Sequence, residues 1–291
     1  MSQAASEVIE ALLREATPQL AAVSESPRAE AERLLAEVLG SSRTRLAAGL
    51  AAAPSAEQVR RYQQWLARRA AGEPYAYLSG QQPFRQIELQ VNPAVLIPRA
   101  DTEHLVDWAL ERIAAWQATG CAAPQVWDVC TGSGCVALSI AEASPAARLL
   151  ASDLSPAALA VARGNAEALG LSRVELVEAD GLDWPTPVPF ELIVGNPPYI
   201  AEDDPHLPAL RHEPRLALVS GPDGLDCLRR LIAQAPARLA SGGWLLLEHG
   251  YDQGAAVRAL LLAAGFVEVS SRRDYGGQER VSGGRWPGVA R

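Results

Sequence analysis

The spacing of hydrophobic residues predicts an all-helical segment over residues 1–75. Apolar residues recur every three or four positions in three blocks, as they do on one face of an amphipathic helix. The second block runs from a break at Pro27 to Gly40, and the third runs from about Ser55 to Gly72. The first block consists of Val8, Ile9, Leu12, Leu13, Ala16 and Leu20. The segment is therefore predicted to be a small helical bundle.

A short segment of different character follows the helical part. Ile87, Leu89 and Val91 alternate with polar residues, which is the pattern of a strand with one buried face. Phe84 extends the hydrophobic character of this segment towards the N-terminus. Residues 76–95 are therefore predicted to be a hairpin or linker between two parts of the chain.

From residue 96 onward, strand patterns alternate with helix patterns. Hydrophobic runs predict strands at residues 125–130, 148–153, 174–180, 191–196, 244–249 and 266–270. A helix with Asp101 as its N-cap is predicted over residues 101–116, and others near 135–142, 156–169, 224–240 and 252–264. Such alternation forms βαβ units, so residues 96–291 are predicted to be an α/β domain around a mostly parallel sheet.

Charge and composition narrow the class of protein. The 291 residues carry a formal net charge of −8, and residues 1–75 contain nine acids and nine arginines, so the excess negative charge lies in the second part. Because phosphate binding relies on Lys and Arg, no direct DNA binding is expected. No stretch has the length and apolar character of a membrane span, and no signal peptide is apparent.

Cysteine and histidine usage suggests neither a disulfide framework nor a metal site. Cys121, Cys130, Cys135 and Cys227 form no CxxC pair, and the four histidines are scattered rather than spaced as metal ligands. A reduced, soluble, cytoplasmic protein without a bound metal and without a membrane partner is therefore expected.

A glycine-rich loop connects the predicted strand 125–130 to the next helix. Its sequence, DVCTGSG at residues 128–134, places Gly132 and Gly134 at a helix N-terminus, where the backbone can approach a ligand closely. Asp153 ends the next strand, where doubly wound folds place the acid that hydrogen-bonds the ribose of an adenosine. The combination predicts a site for a nucleoside cofactor.

The sequence of this loop does not by itself identify the cofactor. Residues 132–137 match the dinucleotide pattern G-x-G-x-x-[GA], and a tight turn without any ligand is the structural alternative. Asp128 favours a different cofactor, because a carboxylate there suits a cationic amino-acid group better than a pyrophosphate. The D-x-x-T-G-S-G spelling resembles the first motif of class I S-adenosylmethionine-dependent methyltransferases.

The most informative motif is Asn196-Pro197-Pro198-Tyr199, which ends a predicted buried strand at the carboxyl edge of the sheet. An NH₂ group on a carbonyl or ring is a poor nucleophile, and two acceptors on its hydrogens would fix it and favour localisation of its lone pair. The Asn196 side-chain oxygen and the Pro197 carbonyl are candidate acceptors, on a segment that the prolines make rigid. Tyr199 offers a flat face for a planar group. An amino-group N-methyltransferase is predicted; alternatively, the prolines only end a strand and Tyr199 belongs to the core.

Over nearly the whole chain, these motifs resemble one family, the glutamine N5-methyltransferases of bacterial peptide chain release factors (HemK or PrmC). Besides the glycine loop and NPPYI at 196–200, the resemblance rests on LIPR at 96–99, DTE at 101–103, DPHL at 204–207, RHEP at 211–214, LLLEHG at 245–250, RDYG at 273–276 and ERV at 279–281. The RDYG and HEP segments favour the branch that acts on release factors.

The resemblance implies a class I, Rossmann-like methyltransferase with a mostly parallel seven-stranded sheet and an N-terminal helical domain that recognises the substrate. The implied reaction, in translation termination, is N5-methylation of the glutamine in the Gly-Gly-Gln motif of class 1 release factors. Residues 196–199 would bind this glutamine, with Asn196, Pro197 and Tyr199 as catalytic residues and Pro198 as a further contact. The expected cofactor contacts are Asp128, Cys130, Thr131, Gly132, Ser133, Gly134, Asp153, Asp180, Gly181 and Asn196.

Three positions depart from the family pattern. Cys130 replaces a glycine at the start of the loop, and Ala100 replaces a proline after Arg99. Gly181 occupies a position where an aromatic residue often faces the adenine, so that Trp184 either substitutes for that residue or belongs to the core. These departures concern individual cofactor contacts rather than the chemistry.

Other functions remain open at this point. Within the same enzyme class, the substrate could be a ribosomal-protein glutamine, whose methyltransferases the CTGSGC spelling also resembles, or an amino group of a nucleic acid. In a different class, the chain could be a nicotinamide-dependent dehydrogenase or a non-catalytic nucleotide sensor. For methyl transfer itself no catalytic base is assigned, because positioning a nucleophile against an electrophilic methyl sulfonium is the main task.

Overall fold

The structure is a computed structural model that describes residues 3–186 and 188–288. It divides into two compact units, and the division lies between Gly80 and Gln81. This boundary lies inside the segment 76–95, which the sequence assigned to a hairpin or linker.

The first unit is helical. Its helices are α1 (Gln3–Gln19), α2 (Pro27–Val38), α3 (Arg43–Ala47), α4 (Ala56–Ala70) and α5 (Tyr75–Ser79). The three long helices are those that the hydrophobic spacing predicts, and their apolar faces meet in one buried cluster that includes Leu13, Leu34 and Tyr62. The short helices α3 and α5 were not predicted, because five residues are too few to show a helical period.

The second unit begins with an antiparallel hairpin, β1 (Gln81–Phe84) and β2 (Ile87–Gln90). The side chains of Phe84, Ile87 and Leu89 are buried, as the alternating pattern predicts. A 3₁₀ turn, Ala100–Thr102, then leads into α6 (Glu103–Ala118). The prediction that Asp101 caps this helix was wrong. Asp101 lies inside the turn, and its carboxylate pairs with Arg280 at 3.3 Å.

The rest of the second unit is a seven-stranded sheet with helices packed against it. The elements follow in the order β3 (Gln125–Val129), α7 (Cys135–Ala143), β4 (Arg148–Asp153), α8 (Pro156–Ala168), β5 (Glu175–Glu178), β6 (Phe190–Gly195), α9 (Asp226–Gln234), β7 (Leu239–Glu248), α10 (Gly254–Ala263), β8 (Val267–Arg273) and β9 (Glu279–Arg285). The strand order is β5-β4-β3-β6-β7-β9-β8. All pairs from β5 to β7 are parallel, whereas β9 is antiparallel to both of its neighbours.

The structure corrects the sequence-based elements in two places. The helix predicted near 224–240 ends at Gln234, a 3₁₀ turn containing Pro236 follows, and β7 begins at Leu239. Strand β9 was not predicted at all. Its glycines weaken the strand pattern, yet they are required by packing, since a Cβ on Gly283 would lie 2.4 Å from Leu246 Cδ2.

This topology determines where a ligand can bind. β3 pairs with β4 on one side and with β6 on the other, so the order of strands reverses at β3. In such sheets ligands bind beyond the carboxyl ends of the strands at the reversal. Among the described residues, no helix is both long and apolar enough to cross a membrane.

Candidate active site

A cavity of about 360 Å³ lies at the carboxyl ends of β3, β4 and β6. Nine of the ten residues that the sequence assigned to the cofactor line it: Asp128, Cys130, Thr131, Gly132, Ser133, Asp153, Asp180, Gly181 and Asn196. Among the residues assigned to the substrate, Asn196 and Pro198 line the cavity. Within the described chain, Gly134, Pro197 and Tyr199 are not part of the lining. The sequence motifs therefore converge on one site.

The glycine loop owes its shape to three residues with a positive φ. Gly132 and Gly134 have φ values of 56° and 85°, and Cys130 has a φ of 60°. A side chain at Gly134 would also collide with Leu138, whose Cδ1 would lie 2.9 Å from the added Cβ. Glycine adopts the left-handed conformation of Cys130 freely, whereas a side chain there costs about 1–2 kcal/mol.

Asp128 stabilises this loop through hydrogen bonds. Its carboxylate is completely buried, and its Oδ2 accepts hydrogen bonds from the Thr131 hydroxyl at 2.6 Å and from the Ala137 backbone N–H at 3.1 Å. Its Oδ1 has no hydrogen-bond partner among the described residues. Burial raises the pKa of the Asp128 carboxyl to about 7. A buried acceptor beside the cavity is therefore available to a cationic ligand group.

The raised pKa of Asp128 leads to a prediction about stability. A carboxyl whose folded-state pKa exceeds its unfolded value stabilises the fold when protonated, and this contribution is lost as the pH rises through about 7. We therefore expect the free energy of unfolding of Asp128→Asn at pH 8 to exceed that of the wild type by about 1–3 kcal/mol. Its melting temperature at that pH should be higher accordingly. Thermal unfolding without ligand at pH 5 and pH 8 tests this. A gap of equal size at both pH values would contradict the burial argument.

Asp153 holds the other side of the loop. It ends β4, and its two carboxylate oxygens accept the backbone N–H groups of Gly132 and Ser155, each at 2.9 Å. Burial raises the pKa of Asp153, while these backbone hydrogen bonds oppose the rise. Its carboxylate is thus fixed at the cavity wall, where the fold places a ribose acceptor.

Asn165 is a structural support that the sequence did not reveal. It is buried in α8, and its side-chain NH₂ donates to the carbonyls of Ser133 and Gln90, at 2.9 and 3.0 Å. Its Oδ1 accepts the Gln90 backbone N–H at 2.7 Å. One side chain therefore ties the cofactor loop to the hairpin. No local motif signals this role, because the partners are 32 and 75 positions away in the chain.

Asp180 and Gly181 follow β5 and line the cavity. Asp180 forms an ion pair with Arg230, which also lines the cavity. Gly181 has a positive φ, which disfavours any side chain there, and an added Cβ would lie 2.7 Å from Gln234 Oε1, so Gln234 would have to move. Trp184 packs against the hydrophobic core beneath the sheet and does not line the cavity among the described residues.

The NPPY segment emerges from β6 with its side chains held by buried groups. The Asn196 NH₂ donates to the Thr102 hydroxyl at 3.2 Å, and Asn196 Oδ1 is buried without a hydrogen-bond partner in the described part of the chain. The Tyr199 hydroxyl donates to Glu248 at 3.3 Å, and burial raises the pKa of Tyr199. The site therefore presents an acceptor oxygen whose position is fixed by the surrounding protein.

The LIPR segment (residues 96–99) and the RHEP segment (residues 211–214) contact each other beside the cavity. Glu213 is buried, accepts the Ile97 backbone N–H at 3.1 Å and forms an ion pair with Arg99. This pair connects the LIPR segment to the RHEP segment, and Leu96, Pro98 and Pro214 from the two segments line the cavity. The resemblance identified both segments, but their contact required the folded structure.

Comparison with known proteins agrees with this geometry. Residues 11–80 match the family model described as the PrmC N-terminal domain, and residues 113–212 match the methyltransferase small domain. A release factor glutamine methyltransferase from Xylella fastidiosa (strain Temecula1) is 46% identical over 92% of this chain and 96% of its own. Enzymes with the same name from Bordetella pertussis and Escherichia coli K12 are 48% and 42% identical, over 89% and 94% of this chain and 94% and 97% of theirs.

The chain belongs to the release factor glutamine methyltransferases. It is therefore an enzyme of methyl transfer, and the family expected from its motifs is confirmed. The class I methyltransferase fold is confirmed as well. A methyltransferase from Pyrococcus furiosus matches 78% of this chain and all of its own, with a TM-score of 0.50 and 16% identity. A human methyltransferase 10 domain containing protein matches 67% of this chain and 87% of its own, with a TM-score of 0.52 and 17% identity.

The residues of the cavity fit the cofactor of this family, S-adenosylmethionine. The unpartnered Asp128 Oδ1 can accept from a cationic amino group, and the fixed Asp153 carboxylate can accept from ribose hydroxyls. Apolar residues, among them Leu154, Ala158 and Ala179, line the part of the cavity next to Asp153. These apolar positions were not predicted, because they belong to no motif.

Proposed function

We propose that this enzyme methylates the side-chain nitrogen, N5, of the glutamine in the Gly-Gly-Gln motif of class 1 release factors. The observation that supports this most directly is the buried, unpartnered Asn196 Oδ1 beside the cofactor cavity. A buried polar atom without a partner is costly, and a ligand that supplies a hydrogen-bond donor removes that cost. A carboxamide NH₂ is such a donor.

In this proposal the chain mainly positions its substrate. Asn196 Oδ1 accepts one hydrogen of the glutamine NH₂, and the Pro197 carbonyl accepts the other. Pro197 and Pro198 fix two consecutive φ angles, which stiffens the backbone of this segment, and the hydrogen bond to Thr102 holds the Asn196 side chain. Tyr199, held by Glu248, packs beside the carboxamide. Holding both hydrogens fixes the nitrogen and favours its lone pair as the nucleophile.

The cofactor residues have separate tasks in this proposal. Bound S-adenosylmethionine supplies a methyl group on a sulfonium, which is electrophilic enough to need no further activation. Asp128 binds the amino-acid end and Asp153 binds the ribose. Residues 130–133, Asp180 and Gly181 also line the cavity and are proposed as further contacts of the cofactor. No residue of the chain is required to remove a proton before the transfer.

The helical unit is proposed to bind the release factor outside its glutamine loop. Two of the four arginines on α4 are engaged within this unit, since Arg68 pairs with Glu73 and Arg69 pairs with Glu30. Arg61 stacks over Trp65, and Arg60 is exposed. Arg60 and Arg61 are therefore the α4 cations that we propose for contact with the partner. Because release factors act on ribosomes, the proposed site of the reaction is the cytoplasm.

The test is methylation of a purified release factor. The full chain is incubated with the release factor and methyl-labelled S-adenosylmethionine, and the digested product is mapped by mass spectrometry. We expect one added methyl group, on the Gly-Gly-Gln peptide, and no label on a release factor whose glutamine is replaced by glutamate. Label on ribosomal proteins or DNA, with none on the release factor, would contradict the proposal.

A further inference from the structure

The function proposed for Asn196 depends on which end of its carboxamide faces the cavity. The oxygen accepts hydrogen bonds and the NH₂ group donates them, while the two ends have nearly the same shape. With its NH₂ end towards the substrate, Asn196 would oppose one donor with another and could not hold the glutamine. The orientation must therefore be set by the polar group on the far side of the carboxamide.

Thr102 is that polar group. Its hydroxyl oxygen accepts the hydrogen bond from Asn196 Nδ2 at 3.2 Å, and its side chain is only 1% exposed. A hydroxyl has one donor and two acceptor sites, so Thr102 alone would satisfy either orientation of the carboxamide. A further group must decide whether Thr102 donates or accepts.

Glu248 is placed to determine whether the Thr102 hydroxyl donates to Asn196 or accepts from it. It ends β7, beside the end of β6, because Gly195 pairs with Leu247 in the sheet and Asn196 and Glu248 are the next residues. Its carboxylate is buried, and its Oε2 has no hydrogen-bond partner within residues 3–186 and 188–288. Burial raises the pKa of the Glu248 carboxyl, and the neighbouring Thr102 hydroxyl opposes this rise.

We propose that Thr102 and Glu248 are positioning residues that fix the polarity of the glutamine-binding segment. An ionised carboxylate only accepts, so in this proposal the Thr102 O–H donates to the unpartnered Glu248 Oε2 and only the lone pairs of the hydroxyl remain for Asn196. Asn196 must then direct its NH₂ towards Thr102 and its oxygen towards the substrate. This inference rests on the proposed function, in which that oxygen accepts from the glutamine.

Glu248 also acts on the second side chain of the segment. Its Oε1 accepts the hydrogen bond from the Tyr199 hydroxyl at 3.3 Å. One buried carboxylate therefore orients both Asn196, through Thr102, and Tyr199 directly. This arrangement explains why a charged group is kept at a position that is 1% exposed, where burial raises its pKa to about 7.

The direct test removes the Thr102 hydroxyl without changing the shape of the side chain. At pH 8, where Glu248 is ionised, we expect Thr102→Val to lower kcat for release factor methylation by about tenfold or more. KM for the release factor and Kd for S-adenosylmethionine should stay within about twofold, since the loss affects only the orientation of the bound carboxamide. Thr102→Ser should restore most of the rate, because it keeps the hydroxyl.

Two controls separate this effect from a loss of packing. Ser139→Ala removes another buried hydroxyl, one without a partner among the described residues, and should leave kcat unchanged. Melting temperatures of all variants show whether each one folds. A Thr102→Val enzyme with wild-type kcat, in a protein that methylates the release factor and is inactivated by Asn196→Ala, would overturn this inference while leaving the proposed function intact.

A second variant tests the role of Glu248. The carboxamide of Glu248→Gln can donate to Thr102, which removes the constraint on the direction of the Thr102 hydroxyl, so kcat should again fall about tenfold. Because both residues act through Asn196, the double variant should be within about threefold of the slower single variant. Losses that multiply in the double variant would show independent roles and would overturn the proposed chain of hydrogen bonds.

Discussion

Replacing Asn196 with alanine is expected to lower kcat for glutamine methylation by about 10²–10³-fold, as the removal of one fixed polar group does in other active sites. The variant loses the acceptor that holds the glutamine NH₂, so the nitrogen is no longer aimed at the methyl group. Its fold should persist, because Asn196 follows the end of β6 and, among the described residues, its side chain hydrogen-bonds only to Thr102. Affinity for S-adenosylmethionine should change little.

Single-turnover methylation of a purified release factor measures this effect, with calorimetry for the cofactor affinity of the same preparation. Asn196→Asp is the matched variant. It keeps an acceptor oxygen facing the substrate, but it places a second acceptor against Thr102, so its rate should lie between those of the wild type and Asn196→Ala. A rate of Asn196→Ala within about threefold of the wild type would contradict the role of Asn196.

The second large effect is expected on cofactor binding. Asp153→Ala removes a carboxylate that accepts the Gly132 and Ser155 backbone N–H groups and is placed to accept from the ribose. Hydrogen bonds to a charged acceptor contribute about 1.5–3 kcal/mol each, so Kd for S-adenosylmethionine should rise about 10–100-fold. Isothermal titration calorimetry measures this directly.

Asp180→Ala provides the comparison for Asp153. Asp180 also lines the cavity, but its carboxylate is half exposed and already paired with Arg230. Its loss should raise Kd for S-adenosylmethionine by no more than about threefold, in line with the small contributions of exposed ion pairs. Equal losses of affinity in the two variants would contradict the role of the Asp153 carboxylate in binding the ribose of the cofactor.

The parts of the fold that follow a local pattern could be predicted from the sequence. β3, β4 and β6 are largely hydrophobic, and three polar residues at or next to their carboxyl ends meet at the cavity: Asp128, Asp153 and Asn196. Once a parallel sheet is inferred, the shared edge of these strands follows from topology. This is why motifs far apart in the chain could be assigned to one site in advance.

The parts that depend on packing could not be predicted. β9 contains Gly283 because β7 approaches it closely, and this contact exists only in the folded sheet. Thr102, Asn165 and Glu248 hold the site through partners at least 32 positions away. Each is an ordinary polar residue within its own segment, so its role appears only when its partners are known.

The most direct test of the proposed glutamine-binding mode is a crystal structure of the enzyme with S-adenosylhomocysteine and a release factor or its Gly-Gly-Gln peptide. We expect the glutamine side-chain nitrogen to lie within hydrogen-bond distance of both Asn196 Oδ1 and the Pro197 carbonyl, while the Asn196 NH₂ still donates to Thr102. A glutamine bound elsewhere, or an Asn196 carboxamide that turns its NH₂ to the substrate, would contradict it.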